Sequence, residues 1–341
     1  MSKIAISGGH LTPALATIEE LIKRKHEIIY VNGQGRAYKD ATEIMRERGI
    51  KVYEINTSKW HRHSLLSALG SLLKMPLAVE KCGEILKEEK VNVILSFGGY
   101  QSIPLVLAGK LLGKKMVTHE QTLTPGLATR VNSIFVDKVA VANEMGAENL
   151  PKSKVVITGN PIRKDILTKV KKMEIFKRPY IYISGGHLGS GFINQLVEQC
   201  FDNLIKQFDI VHSIGNHPQQ DVYWENAIKH KADLSGGKLY WPQRYFGTDE
   251  VASIIQNAEF VISRSGANTC WELARLNKPC ILIPLLTGQR GEQYKNARLL
   301  EECGLAMLTN EKEITPEEFV KIIYKFGSNI NKFEITKENQ D

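Results

Sequence analysis

Cysteine is scarce in this chain of 341 residues. There are five, Cys82, Cys200, Cys270, Cys280 and Cys303, an odd and scattered set with no C-x-x-C pair. That spacing argues against a disulfide framework or a structural zinc site and predicts small buried thiols. Long apolar runs are missing too. None reaches the ~18 residues a spanning helix needs. The opening MSKIAISGGH has no hydrophobic signal core and reads as a first β-strand. A cytoplasmic chain is expected. No Asp-x-Asp pair and no carboxylate cluster at metal-ligand spacing occurs. The sequence therefore requires no cofactor, although a divalent cation stays compatible with it. Basic residues are not interleaved with aromatics or gathered into an arm, so nucleic acid is not an expected partner.

What is present is ordinary for a folded enzyme-sized chain: 43% apolar and 24% charged residues, which excludes disordered, collagenous and coiled-coil classes. The net charge of +8 points to anionic partners such as nucleotides, phosphates or an acidic membrane surface. The length suggests two domains. Short Val/Ile-rich runs bounded by Gly, Pro, Asn or Ser alternate with segments of helical spacing from Lys3–Ile6 to Leu305–Leu308. Strand–helix alternation implies parallel sheets covered on both faces.

An internal echo divides the chain. Ser7-Gly8-Gly9-His10 follows the strand Lys3–Ile6, and Ser184-Gly185-Gly186-His187 follows the strand Tyr180–Ile183 about half the chain later. Two similar α/β domains, each opening with a Gly-rich first loop, explain this. We place them at 1–160 and 161–327, with a polar tail over 328–341 that is either a frayed end or a strap returning to the first domain. Asn160-Pro161 marks the junction.

Three strand-to-helix junctions are candidate ligand sites, because Gly-rich turns bring backbone N–H groups to anions at helix N-termini. In the first, Thr12 is suited to cap the helix, Pro13 to open it, and His10 to project from the loop. In the second, GGHLGSG (Gly185–Gly191), Ser190 is a plausible cap. It is neither a Walker loop nor a dinucleotide fingerprint. In the third, Ser265, Gly266 and Ala267 free the amides of a helix start, with Glu272 one turn in. A carboxylate there suits the paired hydroxyls of a ribose, or simply complements the helix dipole.

Taken together these residues resemble the MurG-type glycosyltransferases of glycosyltransferase family 28. The resemblance rests on Gly8-Gly9-His10 with Pro13-Ala14-Leu15-Ala16, and on Gly98-Gly99-Tyr100 with Ser102 and Pro104. It continues through His119-Glu120-Gln121, Gly159-Asn160-Pro161-Ile162-Arg163 and Gly185-Gly186. It ends with Arg264-Ser265-Gly266-Ala267 and Glu272, then Gln293-Tyr294 with Asn296-Ala297. It implies the GT-B fold: α/β, two Rossmann-like doubly wound parallel-sheet domains facing across a cleft. It also implies an inverting transfer of N-acetylglucosamine from UDP-N-acetylglucosamine to a lipid-diphosphate-linked N-acetylmuramyl-peptide, in peptidoglycan synthesis.

On this resemblance Glu272 would hold the ribose. Arg264, Ser265, Gly266, Ala267, Asn268 and Thr269 would face the donor, with Gly186 and His187 at the diphosphate. Arg163, Thr248, Glu292 and Gln293 would complete the donor side. Thr12, Gly99, Tyr100, Gln121 and Thr122 would line the acceptor side. His10 is the first candidate base, because a positioned base with a near-neutral pKa is worth ~10²–10⁴ in rate; Glu120 and His119 are alternatives. The chain departs from the family in a shorter first loop, in His187-Leu188 for Ser-Gln, in Thr122 for Asn, and in Glu292 for Gln. Alternatives are a UDP-sugar transferase to another lipid, a UDP-N-acetylglucosamine 2-epimerase, or a non-catalytic binding subunit.

Between Trp60 and Lys74, Leu65, Leu66, Leu69, Leu72 and Leu73 fall on one helical face flanked by Lys59, Arg62 and Lys74. That pattern suits either packing on the chain's own sheet or contact with an anionic membrane surface. With a lipid-linked acceptor, the expected location is peripheral, at the inner face of the cell membrane.

Overall fold

The computed structural model describes the chain apart from residues 36–37, 58–64, 168–172, 233, 235–236, 238, 286–290 and 335–341; within helices, the side chains of 65–74, 165, 167, 232, 248 and 249 are also not described. Two compact units emerge, Met1–Arg163 and Lys164–Asp341. The division falls just beyond the Asn-Pro junction, so Arg163 ends the first unit rather than opening the second.

The first unit alternates strand and helix: β1 (Lys3–Gly8), α1 (Leu11–Lys23), β2 (Glu27–Gly33), α2 (Lys39–Glu47), β3 (Lys51–Ile55), α3 (Leu65–Glu88), β4 (Val93–Phe97), α4 (Ser102–Leu111), β5 (Lys115–Glu120), α5 (Leu127–Phe135), β6 (Lys138–Val141) and β7 (Val155–Ile157). Its seven strands are all parallel in the order β3-β2-β1-β4-β5-β6-β7. Both faces are buried, so β1 reads as a continuous apolar run. Ala5 packs with Ile29, Val31 and Leu105 on one face; Ile4 and Ile6 pack with Leu15, Ile18 and Met45 on the other.

The second unit follows the same plan: α6 (Lys164–Leu167), β8 (Tyr180–Ser184), α7 (Gly191–Gln207), β9 (Asp209–Ser213), α8 (Asp221–Ala232), β10 (Tyr240–Gln243), α9 (Thr248–Asn257), β11 (Val261–Ser263), α10 (Ala267–Arg275), β12 (Cys280–Leu282), α11 (Glu292–Glu302), β13 (Ala306–Leu308) and α12 (Pro316–Ser328). Its parallel sheet runs β10-β9-β8-β11-β12-β13. Ile181 and Ile183 enter one core and Tyr180 and Tyr182 the other. The predicted doubly wound parallel architecture is therefore present in each unit.

In both sheets the order reverses beside the first strand, between β1 and β4 and between β8 and β11. Ligands of open α/β sheets bind outside the carboxyl ends at such reversals. The Gly-rich junctions singled out in the sequence flank these two points.

Several expectations are corrected. Helix α1 starts at Leu11 with His10 in the N-cap position and no side-chain cap bond. Thr12 therefore lies inside the first turn and caps nothing, and Pro13 is the third helical residue. Proline is tolerated there because the first four helical N–H groups have no intrahelical partner. The tail is neither frayed nor a strap over 328–334, since Ile330 and Phe333 pack on the second unit's own core. Trp60 lies outside the described residues, as do the side chains of Leu65, Leu66, Leu69, Leu72 and Leu73; the backbone from Leu65 is helical. Four of the five thiols are buried and Cys303 is partly so.

Candidate active site

In the first unit the site is built where the loops after β1 and β4 touch. Gly9 N–H donates to the Gly98 carbonyl at 3.1 Å. Gly99 has φ +77°, and a Cβ there would stand 2.8 Å from the Gly9 nitrogen. Only glycine fits, because the position needs both a left-handed backbone and this close approach. The Tyr30 hydroxyl donates to the Gly8 carbonyl at 2.9 Å and fixes the first loop from β2. Tyr100 follows at the start of the α4 turn, and the Ser102 hydroxyl donates to the Gly99 carbonyl at 2.8 Å. The His10 ring lies beside Gly98. Burial lowers its pKa below the usual 6.5, and the Glu120 carboxylate opposes that shift. The imidazole is therefore neutral at neutral pH, the form a base needs.

The end of β5 supplies the next group. The buried Glu120 carboxylate accepts from Thr122 N at 3.1 Å, from the Thr122 hydroxyl at 2.6 Å and from Gly126 N at 2.9 Å. It thereby organises the turn into α5. The Thr122 hydroxyl also stands 2.8 Å from the Thr124 carbonyl, and its one proton serves one acceptor at a time. His119 Nε2 is 3.2 Å from the Gly159 carbonyl. A carbonyl only accepts, so Nε2 carries the hydrogen. Burial lowers the His119 pKa, Gly159 and Glu120 oppose this, and His10 adds to it.

This tautomer leaves His119 Nδ1 as an acceptor, and it is buried with no hydrogen-bond partner; so are Ser7 Oγ, Gln101 Nε2 and Gln121 Oε1. All four lie at or just beyond the carboxyl ends of the adjacent strands β1, β4 and β5. Buried polar atoms are normally satisfied, and an unmet set in a native fold calls for an explanation. A ligand rich in hydroxyl and amide groups would complete this one.

The second unit repeats the arrangement around β8 and β11. Ser190 caps α7, accepting from Ile193 N. Gly266 is the N-cap of α10 and provides no side-chain bond to the helix's first turn. A Cβ on Gly186 or Gly266 would meet nothing within 4 Å, so both loops present backbone to open space. His187 is exposed and meets the Tyr245 ring edge-to-face at 4.9 Å. Glu272 is half-buried one turn into α10.

Other donor-side expectations change character. Arg264 is not an exposed cation. Its Nη1 donates to the Ile283 carbonyl at 3.0 Å and to Glu311 at 2.6 Å, and its Nε to the Ser190 hydroxyl at 3.1 Å. It ties the α10 loop to the α7 cap. The buried Ser265 hydroxyl donates to the Gln293 carbonyl at 2.7 Å, and Gln293 Oε1 accepts from Leu285 N at 3.0 Å. Asn296 donates to the Ser265 carbonyl at 3.0 Å. Ser265 and Gln293 thus brace the loop. Gly247 N–H donates to Glu250 at 3.2 Å. Thr248 opens α9 and Glu292 opens α11. Arg163 is buried in the first unit.

A protein of Clostridium kluyveri named "UDP-N-acetylglucosamine--N-acetylmuramyl-(pentapeptide) pyrophosphoryl-undecaprenol N-acetylglucosamine transferase" is 33% identical over 93% of this chain and 89% of its own length. This chain belongs to glycosyltransferase family 28. The family's N-terminal domain model matches residues 7–141 and its C-terminal domain model residues 180–341. A Clostridium botulinum protein of the same name is 31% identical over 97% of this chain and 92% of its own length. In fold, the chain resembles the crystal structure of Acinetobacter baumannii MurG, with TM-score 0.74 at 22% identity, covering 98% of this chain and 92% of that one. It also resembles a UDP-GlcNAc 2-epimerase from Neisseria meningitidis, with TM-score 0.66 at 13% identity, covering 99% and 96%. For this family 28 chain, sequence reasoning missed Ser7 and Gln101. The signal was available, since each sits within two residues of a Gly-Gly pair at a strand end.

Proposed function

We propose that the chain transfers N-acetylglucosamine from UDP-N-acetylglucosamine to a lipid-diphosphate-linked N-acetylmuramyl-peptide, with inversion at the anomeric carbon. The observation that carries this reading is the 31–33% identity, over 93–97% of the chain, to relatives named for that reaction. The second unit takes the donor: the diphosphate meets the N-termini of α7 and α10, and Glu272 takes the ribose. The unmet polar atoms of the first unit take the acceptor sugar and its amides.

In the reaction the acceptor hydroxyl oxygen bonds to the anomeric carbon, the bond from that carbon to UDP breaks, and the hydroxyl proton passes to His10. Helix N-termini stabilise the charge that develops on UDP, electrostatics being worth most where donors are preorganised. Charge stabilisation of this kind needs no divalent cation. Glu120 acts through His10 and through the turn it organises. The enzyme works peripherally at an anionic membrane surface, where its acceptor resides; among the described residues no helix is long and apolar enough to cross a membrane.

Calorimetry without metal tests the donor assignment. UDP and UDP-N-acetylglucosamine should bind, the latter in preference to UDP-glucose and UDP-galactose. Preference for another sugar would move the reaction to a different donor. No nucleotide binding, with or without Mg²⁺, would overturn the enzyme reading, and binding only with Mg²⁺ would overturn the metal-free one.

A further inference from the structure

Behind the β8–α7 loop lies a buried polar chain that the reaction does not use directly. Asn194, on the first turn of α7, donates from Nδ2 to the Ile214 carbonyl at 2.9 Å and to Gln220 Oε1 at 2.8 Å. With both amide hydrogens committed, its Oδ1 is left as the acceptor, and His212 Nε2 stands 3.1 Å from it. The hydrogen must be on Nε2. Burial pushes the His212 pKa down to about 3, so the ring is neutral and Nδ1 is bare. The Tyr240 hydroxyl, 2.9 Å from Nδ1, is then the donor. Every proton in the chain Tyr240–His212–Asn194 has one assignment.

The chain ends at a contact that admits no slack. Ile214 and Gly215 pack directly against Gly189. A Cβ on Gly189 would lie 2.2 Å from the Ile214 carbonyl oxygen, and a Cβ on Gly215 would lie 2.2 Å from the Gly189 Cα. Asn216 N donates to the His187 carbonyl at 3.0 Å and His217 N to the Leu188 carbonyl at 3.4 Å. The loop after β9 is thus bonded along the length of the loop 186–189, and Asn194 holds it from below. The adjoining cavity, about 10 Å³ and lined in part by Asn194, His212 and Tyr240, has room for about one water. The chain is therefore a brace and not a ligand pocket.

We propose that His212 and Tyr240 are positioning residues for donor binding, acting through Asn194 to hold the loop 186–189 at the spacing that the donor's diphosphate requires. This rests on the reading of that loop as the diphosphate site.

Nitrogen NMR of histidine-labelled full-length protein tests the brace without any ligand. His212 should show the Nε2–H tautomer with no titration between pH 5 and 8. The Nδ1–H tautomer, or titration near the ordinary 6.5, would overturn the proposal. Calorimetry with UDP and with uridine tests the consequence. His212→Leu should weaken UDP about tenfold, the worth of roughly one hydrogen bond, and leave uridine within about twofold. His212→Gln, whose amide can still donate to Asn194, should restore most of the UDP affinity. Equal losses for UDP and uridine, or no rescue by Gln, would mean a general structural role and would overturn the proposal. So would unchanged UDP affinity in His212→Leu. A wild-type protein that does not bind UDP would refute the functional reading itself, while the tautomer still decides the brace. If His212→Leu does not fold, Tyr240→Phe carries the same comparison, with a smaller loss of UDP affinity expected.

Discussion

Replacing Glu120 with Gln separates two roles for this residue. As a base, its carboxylate would have to be open to a substrate proton. In the structure both oxygens are engaged, Oε1 by the Thr122 amide and hydroxyl and Oε2 by the Gly126 amide. The side chain is 2% exposed. Gln keeps one oxygen for Thr122 but turns an N–H₂ toward the Gly126 N–H, so one partly buried hydrogen bond is lost at a cost of about 1 kcal/mol. The charge that opposes the burial of His10 and His119 disappears as well. Both imidazoles should then titrate lower still. The acid limb of kcat/KM should move to lower pH, and the plateau should fall modestly because the base is weaker. Denaturant melts give the stability loss, and steady-state transfer rates from pH 5 to 9 give the limb. A loss of ~10⁴ or more at every pH, in a variant with wild-type stability and an unmoved histidine titration, would refute this reasoning and make Glu120 the base.

Three further outcomes follow from the same geometry. His10→Ala should lower kcat by ~10²–10⁴ with little change in UDP affinity; a loss of only a few-fold, measured in the same transfer assay, would show that another group takes the proton. Gly189→Ala puts a methyl 2.2 Å from a backbone oxygen at φ +82°, where no flexible side chain can yield, so calorimetry should show UDP affinity falling together with stability. Glu89 is bonded by Lys3, Lys51 and Tyr53, and these hold its carboxyl at about 2 against the usual 4.5. Its pKa is depressed in the folded state, so its contribution is complete above about 4.5 and is lost as pH falls toward about 2. Glu89→Gln should therefore lower stability at pH 7 and flatten its fall across that window, which urea midpoints against pH would reveal.

Much of this molecule is legible in its sequence because the signals are local. Short β-branched runs between turn residues marked the strands, and the echo of Gly-Gly-His marked the second unit. Ser190 as a cap was readable because a cap bonds three residues on. What escaped was set by contacts between distant segments. The resemblance places Arg264 toward the donor; its bond to Glu311, 47 residues later, is not legible in the sequence. Ser265 is read from the sequence for its small size at a helix start; that its hydroxyl donates to the Gln293 carbonyl, 28 residues later, is not legible there. His212 reads as one more residue of a buried strand until Asn194 and Tyr240, 18 and 28 residues away, close on its two nitrogens. Thr12 misled for a local reason: the helix begins one residue before it, so the cap position falls to His10.

The most direct test is transfer itself. Purified full-length protein is given UDP-N-acetylglucosamine labelled in the sugar, with and without a lipid-diphosphate-linked N-acetylmuramyl-peptide in anionic vesicles, and the lipid product and free UDP are measured together. The account predicts one labelled β-linked sugar on the lipid for each UDP released, and little UDP without the acceptor. UDP released at the same rate without acceptor, accompanied by a free 2-epimerised sugar, or no labelled lipid at all with the acceptor present, would contradict it.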